Sequence, residues 1–266
     1  LKIIEDTAIN FGAKLSDGRL LGTIFDYGFF SFGVMKVLTT CHGGALYIKN
    51  DSEFKKINNK KNNNIRYPLS SAISLYFFTI FINIVYSKYI FNYITYYILL
   101  FLSKKNFRFF EKFIFPGLHP KTYKKIPDYF RYNFFDSFSF IGQKNIDFTE
   151  NQLKNRQSKV KIYQENLNKE LLLNVFDDYN CNSFLEFPIL LRKNTSKFLS
   201  LKLLENGFDI RHTFYPDISK FFMENDQAKY PNCEMLENYI LSLPTNNNFN
   251  DKDIRKIAKI INLYEN

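Results

Sequence analysis

Between Tyr67 and Leu102 the chain carries one charged residue, Lys88, in an otherwise nearly unbroken apolar run. No water-exposed loop tolerates such a stretch, because each large apolar side chain buried contributes about 1.5–3 kcal/mol. The run is therefore expected to be helical and either packed into protein as a hydrophobic hairpin or laid against a membrane. Tyr67 to Ser87 is uncharged and long enough to span a bilayer as a helix. Asn83, Asn92 and many tyrosines make it less apolar than a usual span. Tyrosine favours the membrane interface, and Lys104, Lys105, Arg108 and Lys112 follow the run, which suits anionic headgroups.

This run divides the chain into parts of different character. Residues 1–57 read as strand, turn, strand, loop, strand. Asp17-Gly18 is a turn signal, Gly28 to Phe32 has strand propensity, and Gly43-Gly44 precedes a further strand at Ala45 to Ile48. Asn50 or Asp51 is placed to cap a helix. Residues 58–125 are read as a polar linker, Asn58 to Asn64, followed by the apolar insert. Residues 126–266 read as a small α/β domain, with helical periodicity from Lys154 to Leu173 and an amphipathic helix from Asp251 to Leu263. A chain that opens inside an apolar run, Leu1-Lys2-Ile3-Ile4, reads as a piece of a longer protein.

The formal net charge is +10. Lys, Asn, Ile, Tyr and Phe are all abundant, and these are residues of A/T-rich codons, so base composition accounts for much of the lysine excess. The sequence shows no RNA-binding signature or zinc-finger spacing, and no nucleic-acid partner is expected. Cys41, Cys181 and Cys233 are odd in number and far apart, which fits a reducing, cytoplasmic setting. His42, His119 and His212 are scattered, and no metal site is expected.

The residues with chemistry in them sit in the first segment. Asp6 stands at the carboxyl end of an apolar strand, where open α/β sheets bind ligands. Phe30-Ser31-Phe32 leads to Lys36, followed by Thr39-Thr40 and Gly43-Gly44. Each residue alone has an ordinary explanation, a turn for Asp6 and the surface for Lys36. The ordered combination, with Glu5-Asp6-Thr7-Ala8 and Gly12-Ala13 ahead of it, resembles the DegT/StrS family of pyridoxal-phosphate-dependent sugar aminotransferases. Leu204 to Arg211, Phe214-Tyr215-Pro216 and the stretch from Tyr230 to Pro244 resemble that family's small domain, read as a strand and loop and then a helix ending in Ser-Leu-Pro. Arg156, Tyr163 and Leu167 resemble the family's helix after the crossover.

The resemblance implies an α/β fold of the fold-type I transferase class: the end of a large domain, a small C-terminal domain and a hydrophobic helical insert. It implies pyridoxal phosphate as cofactor, with Lys36 bonding it and then carrying protons. Asp6 would keep the ring nitrogen protonated, and Ser31 would donate to the phosphate or its neighbourhood. Asn133 would correspond to the segment that reaches the partner subunit's cofactor phosphate. The implied activity is amino transfer, with glutamate as donor, to a nucleotide-linked keto sugar in cell-surface polysaccharide or glycan synthesis, by a homodimer. The family's glycine-containing phosphate loop and ring-stacking aromatic have no counterpart in this chain, which alone is expected to hold the cofactor poorly.

This sequence departs from the family pattern at Ile9, where glutamine is usual, at His42, where an acid is usual, and at Val37, where asparagine often follows the lysine. Ile9, His42 and the missing phosphate-loop half favour an alternative, a non-catalytic membrane-associated remnant of the family. A sugar dehydratase is the other alternative, against which Lys36 stands. If the blocks on both sides of residues 67–102 form one enzyme, the insert crosses a membrane twice or not at all. Two crossings need about 40 apolar residues. A re-entrant hairpin or an in-plane segment therefore fits the shorter run better.

Overall fold

The computed structural model describes residues 1–61, 65–105, 125–173, 178–210 and 230–266. Asn62 to Asn64, the basic residues Arg108 and Lys112, and Arg211 with Phe214-Tyr215-Pro216 lie outside them.

The first segment forms a three-stranded sheet in the order β1 (Ile4–Asp6), β2 (Tyr27–Ser31), β3 (Gly44–Ile48). β1 runs parallel to β2 with Asp6 opposite Phe29, and β3 runs antiparallel to β2 with Gly44 opposite Ser31. The Asp17-Gly18 turn forms as expected, with Gly18 at φ +88° and the Gly18 N–H donating to the Leu15 carbonyl.

Side chains alternate across the sheet, so its two faces differ. On one face Glu5 reaches into the β1–β2 connection and accepts hydrogen bonds from the backbone N–H groups of Gly22 (2.6 Å), Ile24 (2.7 Å) and Phe25 (2.7 Å). Burial pushes this carboxyl up. The N–H groups of Phe25, Gly22 and Ile24 together outweigh it and hold the group below the ordinary glutamate range. The loop lies so close that a Cβ on Gly28 would sit 1.8 Å from the Gly22 carbonyl oxygen.

Helix α1 (Asp51–Lys61) is capped by Asn50, whose Oδ1 accepts from the N–H groups of Ser52 and Glu53. It runs through Lys61, so Asn58 to Lys61 form its last turn and not a linker. The acidic residues Asp51 and Glu53 at its start and lysines at its end follow the order the helix dipole favours.

The apolar run is helical, as expected, but it is not a hairpin. α2 (Leu69–Val85) is followed by α3 (Lys88–Ile90), a π-helical turn (Phe91–Thr95) and α4 (Tyr96–Lys105). The two arms are bent by 57° at Tyr86-Ser87.

In the last segment, α5 (Asp136–Asn166) is 31 residues long and begins well before the periodicity that announces it at Lys154. β4 (Glu186–Leu190) pairs antiparallel with β5 (Ile240–Pro244). α6 (Ser196–Glu205), α7 (Pro231–Tyr239) and α8 (Asp251–Glu265) complete this body. Its core joins Tyr163, Phe187, Leu203, Leu241 and Ile257, with the Tyr163 and Phe187 rings stacked 5.7 Å apart. α8 places Ile254, Ile257, Ala258 and Ile261 on its buried face and begins with a reciprocal Asn250–Asp253 capping box.

Two local expectations are corrected here. Ser242-Leu243-Pro244 is strand, not the end of a helix. The helix stops at Tyr239, and the apolar Ile240 to Leu243 pairs with β4, burying Leu241 and Leu243 completely. Leu204-Glu205 closes helix α6, not a strand. Gly207, at φ +91°, lets Phe208 N–H return to the Leu203 carbonyl and Gly207 N–H to the Leu204 carbonyl.

Arg156 ties α5 to the β4–β5 pair. It is buried, and its Nη1 donates to the carbonyls of Phe184 (3.3 Å) and Leu185 (3.0 Å) and to Thr245 Oγ1 (2.8 Å). Arg156→Met is expected to lower unfolding free energy by about 1–3 kcal/mol, read from a denaturant titration; an unchanged midpoint would remove the tie from the account. Glu5 generates a pH expectation. Its folded pKa is depressed, so its contribution is present above the unfolded value and is lost as pH falls through the folded value. The thermal midpoint of Glu5→Gln is expected to vary less than that of the native protein as pH drops through and below the ordinary glutamate range. Parallel curves would contradict this.

Candidate functional site

Asp6 and Ser31 are brought together by the parallel pairing of β1 and β2. Asp6 is the last residue of its strand and pairs with Phe29, and Ser31 lies two residues beyond Phe29 at the end of β2. The alternation places Asp6, Phe29 and Ser31 on the face opposite Glu5. Ser31 thus ends a strand and does not belong to the turn that carries Lys36.

Asp6 is exposed. Its Oδ1 accepts from Ala8 N–H at 3.0 Å, which fixes the side chain and leaves Oδ2 without a hydrogen-bond partner among the described residues. Ser31 is half-buried, and its Oγ also has no partner among them.

Lys36 follows in the turn after β2. Its N–H donates to the Gly33 carbonyl at 3.0 Å, and the turn closes with Thr40 N–H on the Phe32 carbonyl at 2.9 Å. Val37 and Leu38 are buried directly after the lysine and pin the turn. Val37, a departure from the family pattern by sequence, is thus a packing anchor. Lys36 is half-buried, and its Nζ forms no ion pair or hydrogen bond among the described residues.

The turn is held from behind by α5. Asn145 Nδ2 donates to the Thr39 carbonyl at 3.1 Å, and a Cβ on Gly142 would lie 2.7 Å from Thr40 Cγ2. Thr40 Oγ1 donates to the His42 carbonyl at 2.6 Å. The His42 ring meets Tyr67 edge-on at 6.1 Å, and Tyr67 meets Tyr132 at 5.5 Å.

Asn133 enters from another direction. Its N–H donates to the Ile65 carbonyl at 2.8 Å, while Ile65 N–H donates to Arg131. The following Phe134 lies against Gly43, where an added Cβ would be 2.4 Å from the ring. Asn133 Oδ1 is buried with no hydrogen-bond partner among the described residues. No hydrogen bond links Asn133 to Asp6, Ser31 or Lys36 among the described residues.

Glu5 was not picked out by the sequence as part of the site, yet it sets the loop under the strand that carries Asp6. The available signal was the alternation itself: adjacent acids at a strand end face opposite ways, and Gly22 and Gly28 mark a close approach on the Glu5 side.

The solved structures similar to this chain include proteins described as aminotransferases. DesI, solved with its TDP-sugar product, matches at a TM-score of 0.65 with 18% identity, over 99% of this chain and 55% of its own. A Streptococcus pneumoniae protein described as a sugar aminotransferase, in its PLP form, matches at 0.62 with 15% identity, over 99% and 57%. PseC of Helicobacter pylori, an aminotransferase of pseudoaminic acid biosynthesis, matches at 0.61 with 14% identity, over 98% and 58%. The chain therefore spans 55–58% of the length of these structures. A comparison with functionally curated proteins gave no match. The family model for the DegT/DnrJ/EryC1/StrS aminotransferase family matches residues 1–68 and 112–262, and the chain belongs to that family.

Proposed function

We propose that the protein is a pyridoxal-phosphate-dependent aminotransferase that transfers an amino group, with glutamate as donor, to a keto group of a nucleotide-linked sugar. We place it in cell-surface polysaccharide or glycan synthesis, as a cytoplasmic homodimer. The substrate class draws support from DesI, solved with its TDP-sugar product, and the amino transfer from PseC, an aminotransferase of pseudoaminic acid biosynthesis.

One observation carries the reading. A carboxylate oxygen, a hydroxyl and an amine, from Asp6, Ser31 and Lys36, stand without hydrogen-bond partners among the described residues, at the carboxyl ends of two parallel strands and in the turn that follows. That set matches the needs of pyridoxal phosphate: an anion for the ring nitrogen, a donor near the phosphate, and an amine for the aldehyde carbon. Asn133 fits in one orientation only. Its buried Oδ1 calls for a donor, so only the Nδ2 end suits an acceptor such as phosphate.

When bound, the cofactor supplies an electron sink for breaking bonds at the carbon that carries the amine. Asp6 Oδ2 would hold a proton on the ring nitrogen, since a carboxylate beside it favours the charged ring. Lys36 Nζ would bond the cofactor at rest and, once displaced by the substrate amine, carry a proton to and from the reacting carbon. The packing of Val37 and Leu38 fixes the turn that carries that amine.

The test is the glutamate half-reaction of the protein carrying this chain, followed through the visible absorption of the cofactor. The native protein is expected to lose that absorption on adding glutamate. Lys36→Ala is expected to lack it from the start, and Asp6→Asn to keep some cofactor while losing roughly hundredfold or more in rate. Normal turnover in Lys36→Ala would refute the assignment, and no cofactor absorption in the native protein would favour the non-catalytic reading.

A further inference from the structure

The family match leaves out residues 69–111, the stretch that holds α2, α3, the π-helical turn and α4. This insert is firmly seated along one side. Ala72 is fully buried in a cluster with Phe138 of α5, and the Tyr76 ring meets Phe138 at 5.3 Å. On the second arm Leu99 packs with Leu204 of α6, Tyr96 OH donates to the Glu205 carbonyl, and Tyr86 OH bonds the Asp209 carboxylate.

The other side is exposed and just as apolar. On α2, Phe77, Phe81 and Ile84 lie at helical spacing with exposures of 69%, 58% and 53%. On the second arm, Tyr93, Tyr97 and Phe101 repeat the pattern at 75%, 61% and 57%. A helix on an ordinary protein surface is polar on its outward face. Here both arms carry large exposed apolar side chains at helical spacing, the kind of exposure that marks an interaction site.

Charge narrows the occupant. From Phe54 to Phe110 the sequence has no Asp or Glu, while Lys88 stands exposed near the bend, Lys104 and Lys105 end the second arm, and Arg108 follows in sequence. A second copy would set this acid-free surface against itself and bring like charges together. An anionic bilayer supplies both the apolar medium and the opposite charge, and tyrosines suit its interface. Among the described residues no single helix is long and apolar enough to cross a membrane, and only the bent pair Leu69–Val85 and Lys88–Ser103 together has the length and composition to do so. The inward faces of both arms are already bonded to α5, α6 and Asp209, so the insert lies along a surface and not through it.

We propose that the outward face of α2, α3 and α4 is a lipid-docking surface that seats the protein on bilayers containing anionic phospholipid without crossing them. The proposal stands apart from the transferase reading and does not depend on it.

The test is flotation of the 266-residue chain with vesicles of phosphatidylcholine and phosphatidylglycerol, or of phosphatidylcholine alone. The chain is expected to float with the mixed vesicles and at least tenfold less with the neutral ones. The combined variant Phe77→Asp, Phe81→Asp, Ile84→Asp changes only exposed side chains, so it is expected to keep its circular dichroism and melting curve and lose binding at least tenfold. Lys88→Glu alone is expected to weaken binding to mixed vesicles several-fold, and it decides the matter should the combined variant misfold. Equal binding by Lys88→Glu, no flotation of the folded native chain, or self-association in sedimentation that the combined variant abolishes in place of lipid binding would each overturn the proposal.

Discussion

The arrangement hangs on one long helix that packs at both ends. α5 meets the turn after Lys36 through Gly142 and Asn145, and about 25 Å of helix length separates that contact from its entry into the second core at Val160 and Tyr163. A residue larger than glycine at position 142 would push on Thr40, and Arg156 fixes the far end to β4 and β5. Further ties run beside it: Ser183 Oγ donates to the Ile9 carbonyl at 2.7 Å, and Lys14 N–H to the Asn180 carbonyl at 2.9 Å. The sheet that carries Asp6 and the body that follows are thereby held in one relation, and the position of the lysine turn follows from it.

Polar groups are treated differently on the two faces of the sheet. Glu5 accepts from three backbone donors and is committed to structure. Asp6, its neighbour in sequence, keeps one oxygen without a partner among the described residues, and Ser31 and Lys36 keep their hydroxyl and amine so. Unsatisfied polar groups that cluster at strand ends are what a ligand site looks like before its ligand. The chain covers 55–58% of the length of the solved structures compared with it, so on the proposed reading this cluster would form only part of a cofactor site.

Much of this was legible in the sequence because it rests on local chemistry. Asp17-Gly18 and Gly43-Gly44 specify turns, Asn50 specifies a cap, and the isoleucine spacing of α8 specifies a buried face. The strand–turn–lysine order was legible too, since Asp6, Ser31 and Lys36 keep their spacing whatever surrounds them. The illegible parts depend on partners distant in sequence. The first half of α5, Asp136 to Leu153, is rich in Phe and polar residues without a clear stripe, and it is helical because Gly142 and Phe138 find the 39–41 turn and α2. Ser242 to Pro244 is strand because β4 stands beside it. In the insert, periodicity fails for a different reason: both faces of α2 are apolar, so the sequence cannot tell the packed side from the exposed one.

The central claim is that the turn after β2 presents the amine that bonds the cofactor. Borohydride reduction of the protein carrying this chain, loaded with pyridoxal phosphate, followed by digestion and mass spectrometry, tests it most directly. The account predicts the reduced cofactor on the peptide containing Lys36 and on no other lysine peptide. Its appearance on a different lysine, with Lys36 unmodified, would contradict the account.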